Sequence, residues 1–302
     1  MSFSAVSVPL NTREHIAFIV NSLFVRRTRE EFENEISSYL DHQKYNEEFR
    51  YTQYPGHAAE HARSALNDGA TVLVAAGGDG TVNEVGRYLI ASDKTLGILP
   101  LGSGNGLARH LDIPKSAADA IGIINQGKTL LMDTGSVNEH PFISIAGIGF
   151  DARVANLYSK SQQHGFLAYL RITLSEYARY QTKIYNLNID GQELEREAIM
   201  ISFANSDQFG YETVIAPGAK VDDGLLDIVI TRRFPLLETP IQLALLLNRQ
   251  IDHSEYIEVF KARHVSIRRA RGKRANIDGE AVRVGKTLDV KVHPASLRIL
   301  VP

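Results

Sequence analysis

The chain of 302 residues has no cysteine, which excludes disulfide bonds, thiolate catalysis and cysteine zinc sites. It has no apolar run of the ~18 residues that a membrane span needs. Its first fifteen residues lack the basic and apolar segments of a secretory signal. Basic residues are not in excess, since the formal net charge is −2. These features predict a cytoplasmic protein that binds no nucleic acid and reaches any lipid substrate from the water side.

The first 132 residues alternate strand-like and helix-like patterns. Apolar segments at 15–20, 71–76 and 96–100 are typical of buried strands, and apolar residues recur at helical spacing between them. Buried strands that alternate with helices indicate a parallel sheet covered by helices. We therefore expect a Rossmann-like α/β domain over residues 1–132.

The second half of the chain has a different pattern. Residues 151–181 and 235–250 are predicted to be helical. The other segments are short, alternate apolar with polar residues and are separated by Asp-Gly pairs at 190–191, 223–224 and 278–279. Because Asp-Gly is typical of tight hairpin turns, we expect a β-rich, mostly antiparallel domain over residues 133–290.

Two glycine-rich loops each lie between a predicted strand and a predicted helix. The first is GGDGT at 77–81, and the second is GSGNG at 102–106. Glycine lets backbone approach a phosphate closely, and a helix N-terminus favours an anion. A single loop of this kind is equally typical of a tight turn. Two of them at the carboxyl ends of two strands predict a phosphate site in the crevice of the sheet, although neither matches a Walker A or dinucleotide fingerprint.

Five sequence blocks in this order resemble the diacylglycerol kinase catalytic-domain family, which includes bacterial lipid kinases and sphingosine kinases and is related to NAD kinases. They are GGDGTVNEV, LPLGSGNGLARHL, SIAGIGFDARVA, FANSDQFGYETVIAPGAKVDDGLLDIVI and ANIDGEAV. The resemblance implies an NAD kinase-like first domain, to which a C-terminal strand at about 291–302 returns, and a second domain for the lipid. It also implies transfer of the γ-phosphate of ATP, with Mg²⁺, to a hydroxyl of a lipid such as diacylglycerol or a sphingoid base.

The resemblance assigns nucleotide binding to the two loops and to the ends of the first two strands. The residues are Asn21, Thr52, Gly77, Gly78, Asp79, Gly80, Thr81, Asn83, Glu84, Gly102, Ser103 and Asn105. Because Asp79 is negatively charged, we expect it to organise the loop or the waters around Mg²⁺ rather than to bind phosphate. A purely structural turn role for Asp79 stays open.

Asp278 and Glu280 are the candidate catalytic pair. In a simple strand, residues two apart share a face, so both carboxylates would point into one cleft. By resemblance, one accepts the proton of the lipid hydroxyl and the other orients the hydroxyl or holds the metal network; which one is the base stays open. In isolation the same residues are typical of an exposed Asp-Gly hairpin.

A metal site is implied by resemblance in KVDDGLLD, residues 220–227. It would use the Asp223 carboxylate with the backbone carbonyls of Lys220 and Leu225, oxygen ligands that suit Mg²⁺. The same segment is typical of a hairpin turn. Asp79 and Asp133 are further candidates for the metal network, and Asp133 is equally interpretable as a turn residue.

The chain departs from the family pattern in two places. After the first strand it keeps Asn21 but lacks the proline and glycine of the family's loop, which argues against phosphate contact there. In the second loop it has Gly106 where bacterial diacylglycerol kinases carry aspartate and sphingosine kinases carry a small residue. The identity of the lipid therefore stays open.

Three functions follow from these observations. They are a lipid kinase, an NAD kinase-like enzyme that phosphorylates a soluble nucleotide, and a non-catalytic, nucleotide-dependent lipid-binding protein. The LPLGSGNGLAR block favours a lipid kinase over an NAD kinase, and the retained acidic residues favour an enzyme. A basic run over 263–274 is typical of a solvated strand face or of contact with anionic lipid headgroups. We expect a cytoplasmic enzyme of phospholipid biosynthesis that contacts the membrane peripherally, and oligomerisation stays open.

Overall fold

The computed structural model of the protein describes residues 13–161, 165–210, 213–270 and 272–302. Helices α1 to α8 are Arg29–Tyr39, His57–Asn67, Asp79–Gly86, Gly106–His110, Ala117–Gln126, Phe150–Tyr158, Phe166–Tyr177 and Thr239–Leu247. Strands β1 to β16 are Glu14–Asn21, Tyr45–Thr52, Val72–Gly77, Thr95–Pro100, Thr129–Val137, His140–Phe142, Ile145–Gly149, Lys183–Ile189, Gln192–Ala198, Met200–Ala204, Leu226–Thr231, Ile257–Ala262, His264–Arg269, Arg274–Ile277, Glu280–Arg283 and Thr287–Leu300. Among the described helices, none has the length and apolar character to cross a membrane.

Four parallel strands form the amino-terminal part of a ten-stranded sheet, in the order β2-β1-β3-β4. Every residue of β3 is buried, as is β1 over residues 16–20. Strands that are apolar throughout are typical of a sheet covered by helices on both faces. The structure therefore confirms the predicted α/β fold with a parallel sheet.

Local sequence signals set the ends of two of its helices. At the start of α1, the Thr28 hydroxyl accepts the Glu31 N–H and the Glu31 carboxylate accepts the Thr28 N–H, a capping box. Ser116 caps α5, and that helix ends at Gly127 in a left-handed conformation. Both ends of α5 therefore follow from local sequence signals.

The second sheet has six antiparallel strands, in the order β12-β11-β10-β7-β14-β15. Its apolar side chains form a core with those of β8 and β13, including the fully buried Tyr185 and Phe203. Asp190-Gly191 joins β8 to β9, and Asp278-Gly279 joins β14 to β15. The structure confirms the predicted β-rich, antiparallel second half.

The long strand β16 connects the two halves. Its first part pairs antiparallel with β13, and near its end Arg298 lies opposite Thr95 of the parallel strand β4. β5 runs antiparallel to both parts of β16, with a register shift between His293 and Leu297. The parallel strands and β13, β8 and β9 therefore lie in one continuous sheet. The proposed boundary between residues 132 and 133 falls inside β5.

Two predicted helices are shorter than expected. The segment 151–181 contains α6 and α7 rather than one helix, and α7 begins after Gly165, which has a φ of +99°. A left-handed residue does not continue a right-handed helix, so the two helices are separate. The predicted helix over 235–250 is confined to α8.

The Asp223-Gly224 pair does not join two strands, contrary to the hairpin expectation. The described residues between β10 and β11 contain no strand longer than an isolated bridge. Asp133 of β5 instead holds this segment, because its N–H donates to the Val221 carbonyl at 2.6 Å and its Oδ2 accepts the Gly224 N–H at 2.7 Å. These tertiary hydrogen bonds replace the ladder that a hairpin would have formed.

Candidate functional site

The two glycine-rich loops contact each other at the carboxyl ends of β3 and β4. Leu101 and Gly102 both donate their N–H groups to the Gly77 carbonyl, at 2.9 and 3.2 Å. A Cβ added at Gly102 would lie 2.5 Å from the Gly78 Cα, and one at Gly77 would overlap the Thr81 hydroxyl. Packing therefore requires glycine at both of these positions.

Gly78 is different from its neighbours. Its φ of −98° and ψ of −169° are extended values that other residues adopt readily. A Cβ added there would meet no atom closer than 3.4 Å. Neither backbone strain nor packing within the described residues explains this glycine.

Asp79 links the first loop to the second. Its Oδ1 accepts the Gly106 N–H at 2.5 Å, and the nearby amides of Asn105 and Leu107 also favour the charged carboxylate. Burial raises the pKa of Asp79, and these backbone hydrogen bonds act in the opposite direction. Asp79 therefore organises the second loop.

The side chains around the first loop leave two polar atoms without partners. Asn21 donates to the Thr81 hydroxyl at 3.2 Å, and the Asn83 Oδ1 accepts from Arg87 at 2.9 Å. Within the described part of the chain, Asn83 Nδ2 and Asn105 Oδ1 are buried and make no hydrogen bond. Because buried polar atoms normally have partners, these two mark positions where a polar ligand fits.

Glu84 has a structural contact. Its two carboxylate oxygens accept the N–H groups of Gly56 and Ala58, both at 3.1 Å. These residues lie at the start of α2, which has no side-chain cap from its own sequence. Glu84 therefore supplies that cap from a neighbouring helix.

The remaining predicted nucleotide residues lie at the same edge of the sheet. Thr52 is the buried last residue of β2 and pairs with Asn21, the last residue of β1. Ser103 is exposed in the second loop, and Gly80 has open space where a Cβ would stand. The fold therefore brings all of the predicted nucleotide residues to the carboxyl ends of the parallel strands or to the helix that follows β3.

Asp278 and Glu280 lie at a two-residue hairpin turn. Asp278 has a φ of +47° and Gly279 a φ of +94°, as type I′ turns require. Because Asp278 belongs to the turn and not to a strand, strand alternation does not apply to it. The expectation that strand geometry places both carboxylates on one face is therefore wrong.

Three backbone amides hold the Asp278 carboxylate. Oδ2 accepts the Ile143 N–H at 2.7 Å, and Oδ1 accepts the Ser144 and Ile145 N–H groups at 2.9 Å. Burial raises the pKa of Asp278 to about 6, while these amides and the charge of Arg87 act in the opposite direction. Since each carboxylate oxygen has two lone pairs, Oδ2 retains one acceptor position. A pKa near neutrality suits a general base.

Glu280 has different surroundings. Its side chain is 47% exposed and forms an ion pair with Arg87 at 3.0 Å. Arg87 also binds Asn83, so this one arginine connects the helix after the first glycine loop to the Asp278 hairpin. Sequence reasoning missed Arg87; the only signal was its position four residues after Asn83 on one helix face.

A lysine neutralises the Asp223 turn. Lys261 Nζ lies 3.2 Å from Asp223 Oδ2, 2.8 Å from Asp227 Oδ2 and 3.1 Å from the Gly218 carbonyl. Burial lowers the pKa of Lys261, but its ion pairs with Asp227 and Asp223 outweigh this effect and raise it. The other Asp223 oxygen accepts the Leu225 N–H at 3.1 Å. A cation at this turn is therefore already supplied by the chain.

These contacts bear on the expected metal site. In the described residues, no three histidine or acidic side chains are grouped so that they could hold a metal ion. The assignment of Mg²⁺ to Asp223 with the Lys220 and Leu225 carbonyls stays a prediction, and it has Lys261 as a competitor for the carboxylate. Any Mg²⁺ bound here would have to displace or share that ammonium group.

Asp133 has structural contacts and does not lie in a turn. In addition to Gly224, it binds the Ala295 N–H through Oδ1 at 2.8 Å, at the register shift of β16. It is 2% exposed and lies within β5. These hydrogen bonds connect three segments of the second half, which gives the residue a structural explanation without a metal.

Two family models match the chain. The model of the diacylglycerol kinase catalytic domain matches residues 15–137, and that of the YegS C-terminal NAD kinase beta sandwich-like domain matches residues 144–301. The chain belongs to the diacylglycerol kinase family. It is a YegS-like member of that family, and several of its curated relatives are named as probable lipid kinases.

Curated relatives and a solved structure agree with this membership. A "Probable lipid kinase YegS-like" of Pseudomonas aeruginosa is 31% identical over 261 residues, covering 84% of each chain. One from Chromohalobacter salexigens is 31% identical over 237 residues, covering 76% of each chain. The crystal structure of a diacylglycerol kinase from Bacillus anthracis has a TM-score of 0.71 at 18% identity, covers 96% of this chain and 98% of that chain, and shows the same fold.

At two positions the sequence of this diacylglycerol kinase family member differs from the family pattern, and the structure shows what surrounds each of them. A Cβ at Gly106 would lie 3.0 Å from the Gln208 carbonyl oxygen and from the Gly210 nitrogen. An aspartate there would have to push this segment of the second half away. In the altered loop after β1, the Phe24 ring comes within 3.6 Å of where a Gly78 Cβ would be. The chain thus has an aromatic contact where the family pattern has proline and glycine.

The sequence patterns also did not predict a second connection between the two halves. Asp207 is 1% exposed, and its carboxylate lies 2.8 Å from His110 Nδ1 and 2.5 Å from the Arg249 guanidinium. Burial raises the pKa of Asp207, but the contacts with His110 and Arg249 outweigh it and lower the pKa. Because His110 ends α4, this network holds the second glycine loop against the β-rich half.

Proposed function

We propose that the protein is an ATP-dependent lipid kinase that transfers the γ-phosphoryl group to a lipid hydroxyl, such as that of diacylglycerol or a sphingoid base. The observation that carries this proposal is the pair of touching glycine loops, connected to the Asp278 hairpin through Arg87 and Glu280. Phosphoryl transfer needs a held triphosphate and an oriented acceptor hydroxyl. The glycine loops are one side of this arrangement and the Asp278 hairpin is the other, and they correspond to those two needs.

The first side would hold the nucleotide. The open backbone at Gly78, the unpartnered amide of Asn83 and the unpartnered oxygen of Asn105 are the groups available to it. Mg²⁺, when bound with ATP, neutralises phosphate charge; Asp79 is the carboxylate shared by both loops and would hold the ion through its water shell. Glycine at 78 then has a functional reason, since a side chain would occupy the phosphate position.

The second side would activate the acceptor. Asp278 has one free acceptor position on Oδ2, and its pKa is raised to about 6, so the carboxylate is charged at pH 7 and able to take a hydroxyl proton. Glu280 holds Arg87 and thereby sets the position of the hairpin relative to α3. We therefore assign the base to Asp278 and a positioning role to Glu280.

An exposed apolar surface supports contact with a membrane. It lies on α8 and the turn before it, where Leu237 is 92%, Ile241 55% and Leu247 48% exposed. Scattered exposed leucines are ordinary, but several on one short helix and its leading turn favour an apolar partner. For an enzyme that takes a lipid from a bilayer, this surface provides peripheral attachment.

The test is a phosphate-transfer assay with Mg²⁺-ATP and a panel of acceptors: vesicles containing diacylglycerol, vesicles containing a sphingoid base, and NAD. Phosphorylated lipid is the expected product. Phosphorylated NAD would instead identify a nucleotide kinase. If ATP and vesicles both bind and no acceptor gains phosphate, the protein is a non-catalytic lipid-binding protein and the proposal is wrong.

Two glycine variants test the nucleotide side separately. We expect Gly78→Ala to keep the wild-type Tm, because its Cβ makes ordinary contacts, and to raise the Kd for ATP about tenfold or more, a loss of ~1.4 kcal/mol. Gly102→Ala is the structural counterpart and should lower the Tm through its 2.5 Å overlap. Calorimetric ATP titration and thermal melting measure both; unchanged ATP affinity in Gly78→Ala would contradict the assignment.

A further inference from the structure

A cavity of about 680 Å³ lies in the β-rich half of the molecule. Its walls come from α6, the end of α7, the start of β8, the end of β13 and the β14–β15 hairpin. The cavity reaches the open end of that hairpin, where Arg274 and Arg283 lie. The Asp278-Gly279 turn is at the other end of the hairpin. The volume is in the range of roughly 300–1,000 Å³ that is typical of small-molecule sites.

The cavity wall is strongly basic, and we call it the basic cavity. Three of its basic side chains come from α6, the turn after α7 and β8: Arg153, Arg179 and Lys183. Those from β13 and the hairpin are Arg269, Lys273, Arg274 and Arg283. Among the described residues, the one carboxylate on the wall is Glu176, which is paired with Arg153 at 2.9 Å. The other basic groups therefore have no acidic partner on the wall.

Arg269 is a buried charge at the base of this cluster. It is 3% exposed, and within the described part of the chain its guanidinium donates only to backbone carbonyls, those of Arg274 at 3.1 Å and Gly285 at 2.8 Å. In the described residues no carboxylate forms an ion pair with it. Carbonyl groups satisfy its hydrogen bonds but leave its charge without a counter-ion, and buried charges are normally paired.

Two further observations indicate that positive charges on the cavity wall repel one another when no anion is bound. Arg274 and Arg283 lie directly opposite each other in the β14–β15 ladder, and like charges in that arrangement repel. Burial lowers the pKa of Lys183, and the charges of Arg269 and Arg153 act in the same direction. An anion in the basic cavity would relieve both repulsions.

We propose that the basic cavity binds a phosphate-bearing anion, a phosphomonoester or phosphodiester. Guanidinium groups bind two phosphate oxygens at once, and arginine predominates on this wall. The ligand is either the headgroup of an anionic phospholipid or a phosphate compound free in solution. This site is separate from the glycine loops, so the proposal does not depend on the kinase activity.

The experiment measures binding by the full chain with defined probes. Thermal melting is followed with inorganic phosphate and with glycerol 3-phosphate, each against chloride at equal ionic strength. Sedimentation is followed with vesicles of phosphatidylcholine alone or with added phosphatidylglycerol. The cavity variant is Arg274→Gln with Arg283→Gln, whose side chains are exposed at the rim, so folding is expected to persist. The matched control removes two exposed charges elsewhere, by Arg63→Gln with Lys115→Gln.

The soluble probes are expected to raise the Tm of wild type and control, with a saturating rise of roughly 2 °C or more, and not that of the cavity variant. That result identifies a free phosphate compound. If only the phosphatidylglycerol vesicles bind, and the cavity variant alone loses that binding, the ligand is a lipid headgroup. If no probe distinguishes the cavity variant from the control, the proposal is overturned. Melting in chloride verifies that each variant is folded.

Discussion

The hairpin turns Asp190-Gly191 and Asp278-Gly279 have nearly the same backbone. Their φ values are +45° and +95° in the first turn and +47° and +94° in the second. In both, the aspartate N–H donates to a carbonyl of the adjacent segment at 3.0 Å. In both, the carboxylate accepts backbone N–H groups from that segment: Arg263 and His264 in the first turn, residues 143–145 in the second.

The two turns differ in what surrounds them. Asp190 is exposed, whereas burial raises the pKa of Asp278 to about 6 and Arg87 lies close enough to influence it. The local motif is thus a structural device in both places, and it does not by itself indicate catalysis. The catalytic assignment of Asp278 depends on its burial and on its connection to the glycine loops, and the predictions below test that difference.

The largest expected effect is on turnover. Asp278→Asn should lower kcat by roughly 10²–10⁴-fold with ATP affinity near wild type, because asparagine cannot accept the hydroxyl proton. Asp190→Asn loses the same kind of turn contacts and should keep kcat. Steady-state assays and ATP titration of both variants measure this. If kcat is equal in the two variants, Asp278 has only a structural role in the turn. If Glu280→Gln is the only variant that loses turnover, Glu280 is the base.

The next effect is on the dependence of stability on pH. Asp151 is 4% exposed, and its Oδ1 accepts a hydrogen bond from the Asn276 side-chain amide at 2.9 Å. Burial raises the pKa of Asp151 to about 6. A pKa raised in the folded state means that the folded chain binds more protons between pH 4 and 6, so the free energy of unfolding falls as pH rises through that window. The raised pKa of Asp278 makes the free energy of unfolding fall over the same pH window.

Each of these carboxylates should contribute a fall of roughly 2 kcal/mol between pH 4 and 7, because most of the difference of about two pKa units, at ~1.4 kcal/mol each, is titrated in that window. Asp151→Asn and Asp278→Asn should each flatten that fall, while Asp190→Asn should not. Denaturant unfolding at pH 4, 5, 6 and 7 measures the slopes. A wild-type slope retained in both the Asp151 and the Asp278 variant would contradict the raised pKa of these carboxylates.

Activity should move in the opposite direction with pH. If Asp278 is the base, it must be unprotonated, so kcat should fall as pH drops below about 6 although the fold becomes more stable there. The pH profile of kcat, measured with saturating substrates, checks this, and Asp190→Asn is the control that should retain the profile. A profile that is flat from pH 5 to 8 would assign the proton transfer to another group.

The smallest effect is expected from Arg87. Arg87→Met should lower kcat about tenfold, equivalent to ~1.4 kcal/mol, by releasing Glu280 and the hairpin. It should change stability by less than ~1 kcal/mol, since the ion pair is partly exposed. Arg196→Met removes a comparable surface pair with Glu258 and is the control. If both variants lose the same small amount of activity, Arg87 has no special positioning role.

The sequence alone was sufficient for the fold class and for the location of the glycine loops. Apolar runs, capping residues and glycines act through local backbone geometry, so their pattern indicates strands, helices and turns without knowledge of distant contacts. The loops follow directly from this, because strand ends and helix starts are sequence neighbours. The nucleotide side of the candidate site was therefore accessible from residues 77–84 and 102–106.

Only the tertiary structure decided what each carboxylate contacts. Asp223 and Asp278 each precede a glycine and Asp133 lies two residues before one, yet their partners are Lys261, the amides of 143–145 and Ala295 respectively. Those partners are 38 to 162 residues away along the chain. Burial, pKa and the choice between a structural and a chemical role depend on such distant contacts, and no local pattern contains them.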